Sequence, residues 1–235
     1  MPAYYLLQKR IKEKIENGDW KPGDAIPPER LIAAESSLSV GTVKKALQNL
    51  VHEGLLRRVQ GKGTFVAGTV LSRGSLRYYR LARDFDDTYA ELSVGLLGLK
   101  ETRGPNAACA ALYLRKGEKV FEVRRVFSAG GRPLVYALSY LPEKLLKGFA
   151  ELPASVFEKS TLYETIERSY GLPCVRNEEL FGVAAARGTV AEVLGVRPGH
   201  PLLRIIMRSF TYKEVPYEYR ESYCITDDRK VFAKI

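Results

Sequence analysis

Cysteine and histidine are scarce in this chain of 235 residues, which has three of the first (Cys109, Cys174, Cys224) and two of the second (His52, His200). The cysteines are far apart, odd in number and include no CxxC pair, which argues against a disulfide framework and against a zinc site. Buried, chemically idle thiols are the expectation. No apolar run reaches membrane-spanning length, and the first residues lack the basic and apolar segments of a signal peptide. These gaps point away from the membrane and to the cytoplasm. Also missing are a serine-nucleophile motif, a metal-ligand set and a phosphate-binding glycine loop, so no catalytic residue is assigned and no cofactor is expected.

What is present is positive charge. Lys and Arg number 37 against 27 Asp and Glu, a formal net charge of +10. Residues 1–74 hold 12 basic and 7 acidic side chains, and residues 75–235 hold 25 and 20, so the first third carries half of the excess. A polyanionic partner is thereby expected for the N-terminal part.

Residues 39–66 say most. Val43, Ala46, Leu47 and Leu50 recur at helical spacing, with Ser39 placed to cap and Gly54 to end the helix. Thr42, Lys44, Lys45 and Gln48 fall on its other faces. A buried stripe behind a short, basic, hydrogen-bonding face suits a helix that reads a major groove. Arg57, Arg58, Gln60, Gly61, Lys62 and Gly63 then form a compact cationic hairpin with strands at Leu55–Arg58 and Thr64–Val66, fit to lie on phosphates or to reach a minor groove. Upstream, Tyr4–Asn17 reads as a helix with Leu7, Ile11 and Ile15 on one face. A turn at Lys21-Pro22-Gly23-Asp24 and a short helix from the Pro27-Pro28-Glu29-Arg30 segment to Glu35 follow. Three helices and two strands make a winged helix-turn-helix over residues 1–67. Residues 68–76 read as a linker.

Residues 77–235 read as an antiparallel α+β domain. Strands are expected at Ala110–Leu114, Val120–Ser128 and Leu134–Leu141, the last two joined by the Gly130-Gly131-Arg132-Pro133 turn. A helix at Leu162–Tyr170, a strand at 178–186, a short helix at 189–194 and strands at 202–212 and 216–225 complete the pattern.

The run Lys21-Pro22-Gly23-Asp24, Ile26-Pro27-Pro28-Glu29-Arg30, Thr42-Val43, Ala46-Leu47, Leu50, Glu53-Gly54-Leu55 and Gln60-Gly61-Lys62-Gly63-Thr64-Phe65-Val66 resembles the GntR family of bacterial transcription regulators. The second domain resembles the UTRA effector-binding domain of the HutC subfamily through Val123-Arg124-Arg125-Val126, Gly131-Arg132-Pro133-Leu134, Tyr140-Leu141-Pro142, Thr161-Leu162-Tyr163, Tyr170-Gly171, Leu194-Gly195-Val196 and Pro216-Tyr217-Glu218. The resemblance implies a chorismate-lyase-like fold and a cytoplasmic, nucleoid-associated homodimer. It implies a repressor that binds double-stranded DNA at a palindromic operator and answers to a small-molecule effector. DNA contacts carried over residue by residue are Arg30, Ser39, Thr42, Lys44, Lys45, Gln60, Gly61 and Lys62. Effector contacts are Arg125, Phe127, Thr161, Tyr163 and Glu218.

Two departures from the family pattern bear on function. Val40 and Gly41 stand where arginine and threonine are usual, which removes a bidentate guanine contact and predicts an altered half-site. Phe127 stands at a frequent second-arginine position and Ala137 at a frequent glutamate position. One cation fewer and one aromatic face more favour a ligand less charged than a sugar phosphate. Two other readings are a DNA-binding dimer with no effector and a lyase-like enzyme, against which stands the lack of catalytic motifs.

Overall fold

The computed structural model describes residues 2–68, 81–83, 92–159 and 161–231. Three helices open the chain: α1 (Ala3–Glu16), α2 (Glu29–Ser36) and α3 (Val40–His52). The stripe Val43, Ala46, Leu47, Leu50 is wholly buried and meets Leu7, Ile11 and Ile15 of α1 and Ile32 of α2 in one core. Ser39 caps α3, its Oγ accepting from the Thr42 amide at 3.1 Å. Strands β1 (Leu56–Val59) and β2 (Gly63–Val66) pair antiparallel as the wing. The segment after α1 lies along β2, with the Gly23 and Ile26 amides donating to Val66 and Thr64 and the Val66 amide donating to Asp24. The sequence reading of this domain holds to within a residue or two at each element.

Of the residues read as linker, all but Gly68 lie outside the described residues. Two short strands, β3 (Leu81–Ala82) and β10 (Lys230–Val231), pair with each other. The rest is built on a six-stranded antiparallel sheet in the order β4-β5-β6-β9-β8-β7. Its strands are β4 (Ser93–Arg103), β5 (Lys119–Ala129), β6 (Arg132–Pro142), β7 (Arg176–Ala185), β8 (Pro201–Thr211) and β9 (Val215–Cys224). Helices α4 (Asn106–Ala111), α5 (Ala154–Lys159), α6 (Leu162–Tyr170) and α7 (Gly188–Leu194) flank it.

Each strand alternates its side chains between two faces. On one face, Phe121, Val123 and Leu141 pack with Phe149, Phe157, Leu162 and Ile166, under α5 and α6. On the other, Tyr136 and Leu202 pack with Ala191 and Leu194 of α7, and Tyr140 and Tyr219 with Ala108 of α4 and Leu112.

Two sequence expectations are corrected. Ala110–Leu114 is not a strand: α4 covers Asn106–Ala111 and a tight turn follows, with Tyr113 at φ 54°. A short alanine-rich run has too little periodicity to separate the two states. Strand β4 was not foreseen, because it is an edge strand with two glycines and an irregular mix of apolar and polar residues.

Candidate nucleic-acid interface and effector site

The outward face of α3 follows from its buried one. At roughly 100° per residue, Gly41, Lys44, Lys45 and Gln48 lie opposite the stripe, and all four are exposed. The bare Gly41 at the helix front lets a backbone approach closely. Ser39 and Thr42 hydroxyls are 2.8 Å apart at the exposed N-terminus of the helix, where amides and dipole favour an anion. Lys44 is solvent-facing. Lys45 Nζ sits 4.5 Å from the Tyr4 ring of α1, so it is steered toward the first helix rather than straight outward. Arg30 is exposed at the start of α2, with no ion-pair partner among the described residues. Arg58, by contrast, binds Glu29 at 2.8 Å and fastens the wing to α2. The wing tip is Gln60, Gly61 and Lys62, all exposed, with Gly61 at φ 72° and Gly63 at φ 118° closing a turn that few other residues would tolerate. The DNA-side residues named from sequence therefore occupy two neighbouring exposed elements, α3 and the wing, with Arg30 on the adjoining helix.

The second site is a line of buried polar side chains on the α5–α6 face of the sheet. Glu218 is 0 % exposed, Arg125 2 % and Arg220 3 %. Ser139, Ser209 and Ser222 are buried with them. Strand register sets the rows: Arg125 opposes Ala137, which opposes Ser222; Ser139 opposes Arg220, which opposes Met207; Ser209 opposes Glu218. A bulge gives β9 one extra residue, Tyr217, between the Ser209–Glu218 and Phe210–Pro216 pairs. Such a bulge re-aims side chains, and both Tyr217 and Glu218 end fully buried.

Glu218 Oε1 accepts from the Ser139 hydroxyl at 2.6 Å and lies 3.9 Å from the Arg220 guanidinium. Arg220 in turn donates to the Tyr163 hydroxyl at 3.1 Å. Tyr163 reaches the cluster from α6 and lies 3.2 Å from the Ser209 hydroxyl. Glu218 Oε2 is buried and has no hydrogen-bond partner among the described residues. A buried, half-satisfied carboxylate is costly unless something completes it. Nearby Cys174 is buried, and that burial pushes its thiol up to about 11, so it offers no thiolate.

Of the five effector residues named from sequence, Arg125, Tyr163 and Glu218 meet at or beside this cluster. Thr161 instead caps α6 in a reciprocal capping box with Glu164. Phe127 is part of an apolar cluster with Leu134, Val135 and Ala137, its ring 5.2 Å from the Arg125 guanidinium. Arg220, Ser139 and Ser209 were missed. The period-two polar stripe Glu218, Arg220, Ser222 was the available signal, masked by the tyrosines between. Arg220 adds a second buried cation to Arg125, set against the Glu218 carboxylate.

Residues 89–230 match the model of the UTRA domain, and residues 4–66 match the bacterial regulatory proteins of the gntR family. The chain is a GntR-family transcription regulator with a UTRA domain. The regulator is similar to the HTH-type transcriptional repressor NagR of Bacillus subtilis, at 28 % identity over 94 % of this chain and 90 % of NagR. It is also similar to the mannosyl-D-glycerate transport/metabolism system repressor MngR of Escherichia coli, at 25 % identity over 97 % and 94 %. Among solved structures, the ligand-binding domain of a GntR-family regulator from Bordetella bronchiseptica aligns with a TM-score of 0.61 at 32 % identity, covering 68 % of this chain and 98 % of that one. PhnF of Mycobacterium smegmatis shares the fold over 100 % of this chain and 99 % of its own, with a TM-score of 0.58 at 22 % identity. The family and these relatives are transcription regulators, not enzymes. No described helix is long and apolar enough to cross a membrane, and the described residues hold no metal-binding group of His, Cys, Asp and Glu.

Proposed function

We propose that this regulator is a homodimeric repressor acting on nucleoid DNA in the cytoplasm, and that it binds a palindromic operator and responds to a polar metabolite held by Arg125, Arg220, Glu218 and Ser139. The observation that carries this reading is the buried cluster itself, above all the Glu218 oxygen with nothing described to donate to it. An acidic end group suits the two guanidiniums, and a hydroxyl or ammonium suits Glu218. A hydroxy acid or an amino acid conjugate of a sugar has both. The mechanism is linkage: the ligand must prefer the arrangement that does not fit the operator, or it shifts nothing.

Dimer formation is supported by edge strand β7. Leu180, Phe181 and Val183 on it are 69 %, 55 % and 83 % exposed. A ten-residue edge strand whose second part, residues 180–185, is apolar invites another strand, and β7 of a second copy would cover it symmetrically. Two winged helices at a fixed separation then require two half-sites at matching spacing.

The test is fluorescence anisotropy of the DNA upstream of this gene across a salt series. Mannosyl-D-glycerate, which appears in the name of MngR, and fructoselysine, which appears in that of a similar probable fructoselysine utilization operon repressor of Escherichia coli, serve as first probes. Tight, sequence-selective and salt-sensitive binding, reversed by one such compound, is the expected result. Equal binding to any DNA would overturn the operator reading. Selective binding indifferent to a broad panel of acidic sugars would overturn the effector reading and leave a DNA-binding dimer with no ligand.

A further inference from the structure

The turn between β8 and β9 reaches out of the UTRA domain. It carries Tyr212, whose ring packs against the core of the winged helix, where Trp20 and Val51 also pack. Clefts of about 670 and 700 Å³ flank this contact, both lined by Glu16 of α1 and by Thr211, Tyr212 and Lys213. The Tyr212 hydroxyl is buried with no hydrogen-bond partner among the described residues. Burial pushes the phenol pKa up, and the charges of Glu167 and Glu16 add to that shift.

The same turn is strained. Lys213 and Glu214 stand at φ 59° and 56°, consecutive non-glycine residues in the left-handed region, where a Cβ crowds the backbone. Such a conformation persists where its surroundings hold it. Here the hold comes from Arg176, which is ion-paired to Glu214 and lies 3.8 Å from the Phe210 ring. Within three residues of Tyr212 on β8 is Ser209, and β9 returns through Glu218 directly opposite it.

Helix α6 makes a second connection. Its Tyr163 touches Ser209 and Arg220. One turn on, Glu167 approaches Gly68, the exit of the winged helix: a Cβ built at Gly68 would lie 2.7 Å from Glu167 Oε1 and 3.3 Å from the Pro22 side chain. These two elements that reach the DNA-binding domain thus both start beside the buried polar cluster.

We propose that the β8–β9 turn is a latch, with Tyr212 as its bolt, through which the state of the Glu218–Arg220–Ser209 cluster sets how firmly the winged helix is held. Only the identity of the cluster as the effector site rests on the function proposed above; the mechanical link does not. Tyr212 is a positioning residue in this scheme. Its ring supplies the contact, and its hydroxyl contributes nothing favourable.

The single tryptophan gives a local readout, because Trp20 belongs to the winged helix and lines a cleft with Tyr212. Urea unfolding of the full chain is followed by Trp20 fluorescence in wild type, Glu218→Gln, Tyr212→Ala, Tyr212→Phe and the doubles with Glu218→Gln. Glu218→Gln, made in the other domain, should lower the Trp20 midpoint by about 0.5 M or more. That shift should shrink below about 0.2 M in the Tyr212→Ala background and persist in Tyr212→Phe. Ser139→Ala provides an independent, milder change at the cluster with the same expected pattern. A Trp20 midpoint indifferent to both cluster substitutions, or shifted equally with and without the Tyr212 ring, would overturn the latch. Because no ligand enters, a pocket that binds nothing leaves this result standing, and a failed latch leaves the operator and effector assays unaffected.

Discussion

Glu218→Gln is the most informative single change in the UTRA domain. It keeps the side chain's volume and the acceptor for Ser139, but strips the buried Arg220 of this carboxylate. At the observed 3.9 Å and an effective dielectric of about 20, the screened attraction is about 4 kcal/mol. Breaking a buried pair by removing one member costs about 3–5 kcal/mol, because the other charge stays buried. The short bond from Ser139 to Glu218, 2.6 Å, also loses its charge assistance, worth about 1 kcal/mol more. We expect a loss of about 3 kcal/mol, since local repacking recovers part of the total. Arg220→Met should cost a similar amount. The double substitution removes both charges and should cost at least about 2 kcal/mol less than the sum of the singles. The assay is urea unfolding followed by near-ultraviolet dichroism of the tyrosines, at fixed protomer concentration because a dimer's stability depends on it. Singles that add to within about 0.5 kcal/mol would show that the two groups do not act as a pair and would refute the reasoning.

Lys44→Ala should weaken operator binding at every sequence tested and flatten the slope of log affinity against log salt by about one, as loss of one phosphate contact does; titrations at several salt concentrations measure it. Arg30→Ala should behave likewise, whereas Arg58→Ala should cost about 1 kcal/mol or less of stability, because its pair with Glu29 is partly exposed. Val183→Lys on β7 should shift the protein toward monomer in sedimentation while the monomer keeps its far-ultraviolet spectrum. Stability should fall from about pH 9 upward. Burial holds the Cys174 thiol at about 11 and the Cys224 thiol at about 12, so between their usual value and these the unfolded chain releases protons that the folded chain keeps. The slope is about 1.4 kcal/mol per pH unit for each thiol, and Cys224→Ala should make the alkaline decline in denaturation midpoint shallower.

The winged helix was legible because its signals are local. Ser39 and Gly54 bracket one amphipathic helix, and the glycines at 61 and 63 fix one turn. The α6 boundaries were equally plain, given a capping threonine and a terminal glycine. The buried polar cluster was legible only in part, because it is assembled by register. Arg125 on β5, Ser139 on β6, Arg220 on β9 and Ser209 on β8 lie far apart in sequence and meet only because four strands align. Thr161 has its partner close by in sequence: a hydroxyl just before a helix with glutamate three residues on forms a capping box. Tyr212 left no trace in the pattern, since an aromatic residue at a strand end is ordinary until another domain packs on it.

The two faces of the sheet carry two carboxylates of β9, the part-buried Glu221 and the buried Glu218, and the difference between them is why the proposed ligand is assigned to Glu218. Glu221 faces α4 and α7. It accepts from Arg204 at 2.7 Å, from the Tyr219 hydroxyl at 2.9 Å and from the Tyr223 hydroxyl at 3.0 Å. Burial works to raise its carboxyl, but the hydrogen bonds from Arg204 and Tyr219 outweigh that and hold it below the usual range. Both its oxygens are satisfied, so a ligand arriving there would have to break bonds already made. Glu218, three residues earlier, is more deeply buried and has one oxygen satisfied and one not. A fold gains nothing by leaving that oxygen dry, since replacing an incompletely paired buried charge with apolar groups is often neutral or stabilising. An incomplete polar group on the strand that also returns from the Tyr212 turn is what the proposed effector site requires, because its completion would then be felt at the DNA-binding domain through the proposed latch.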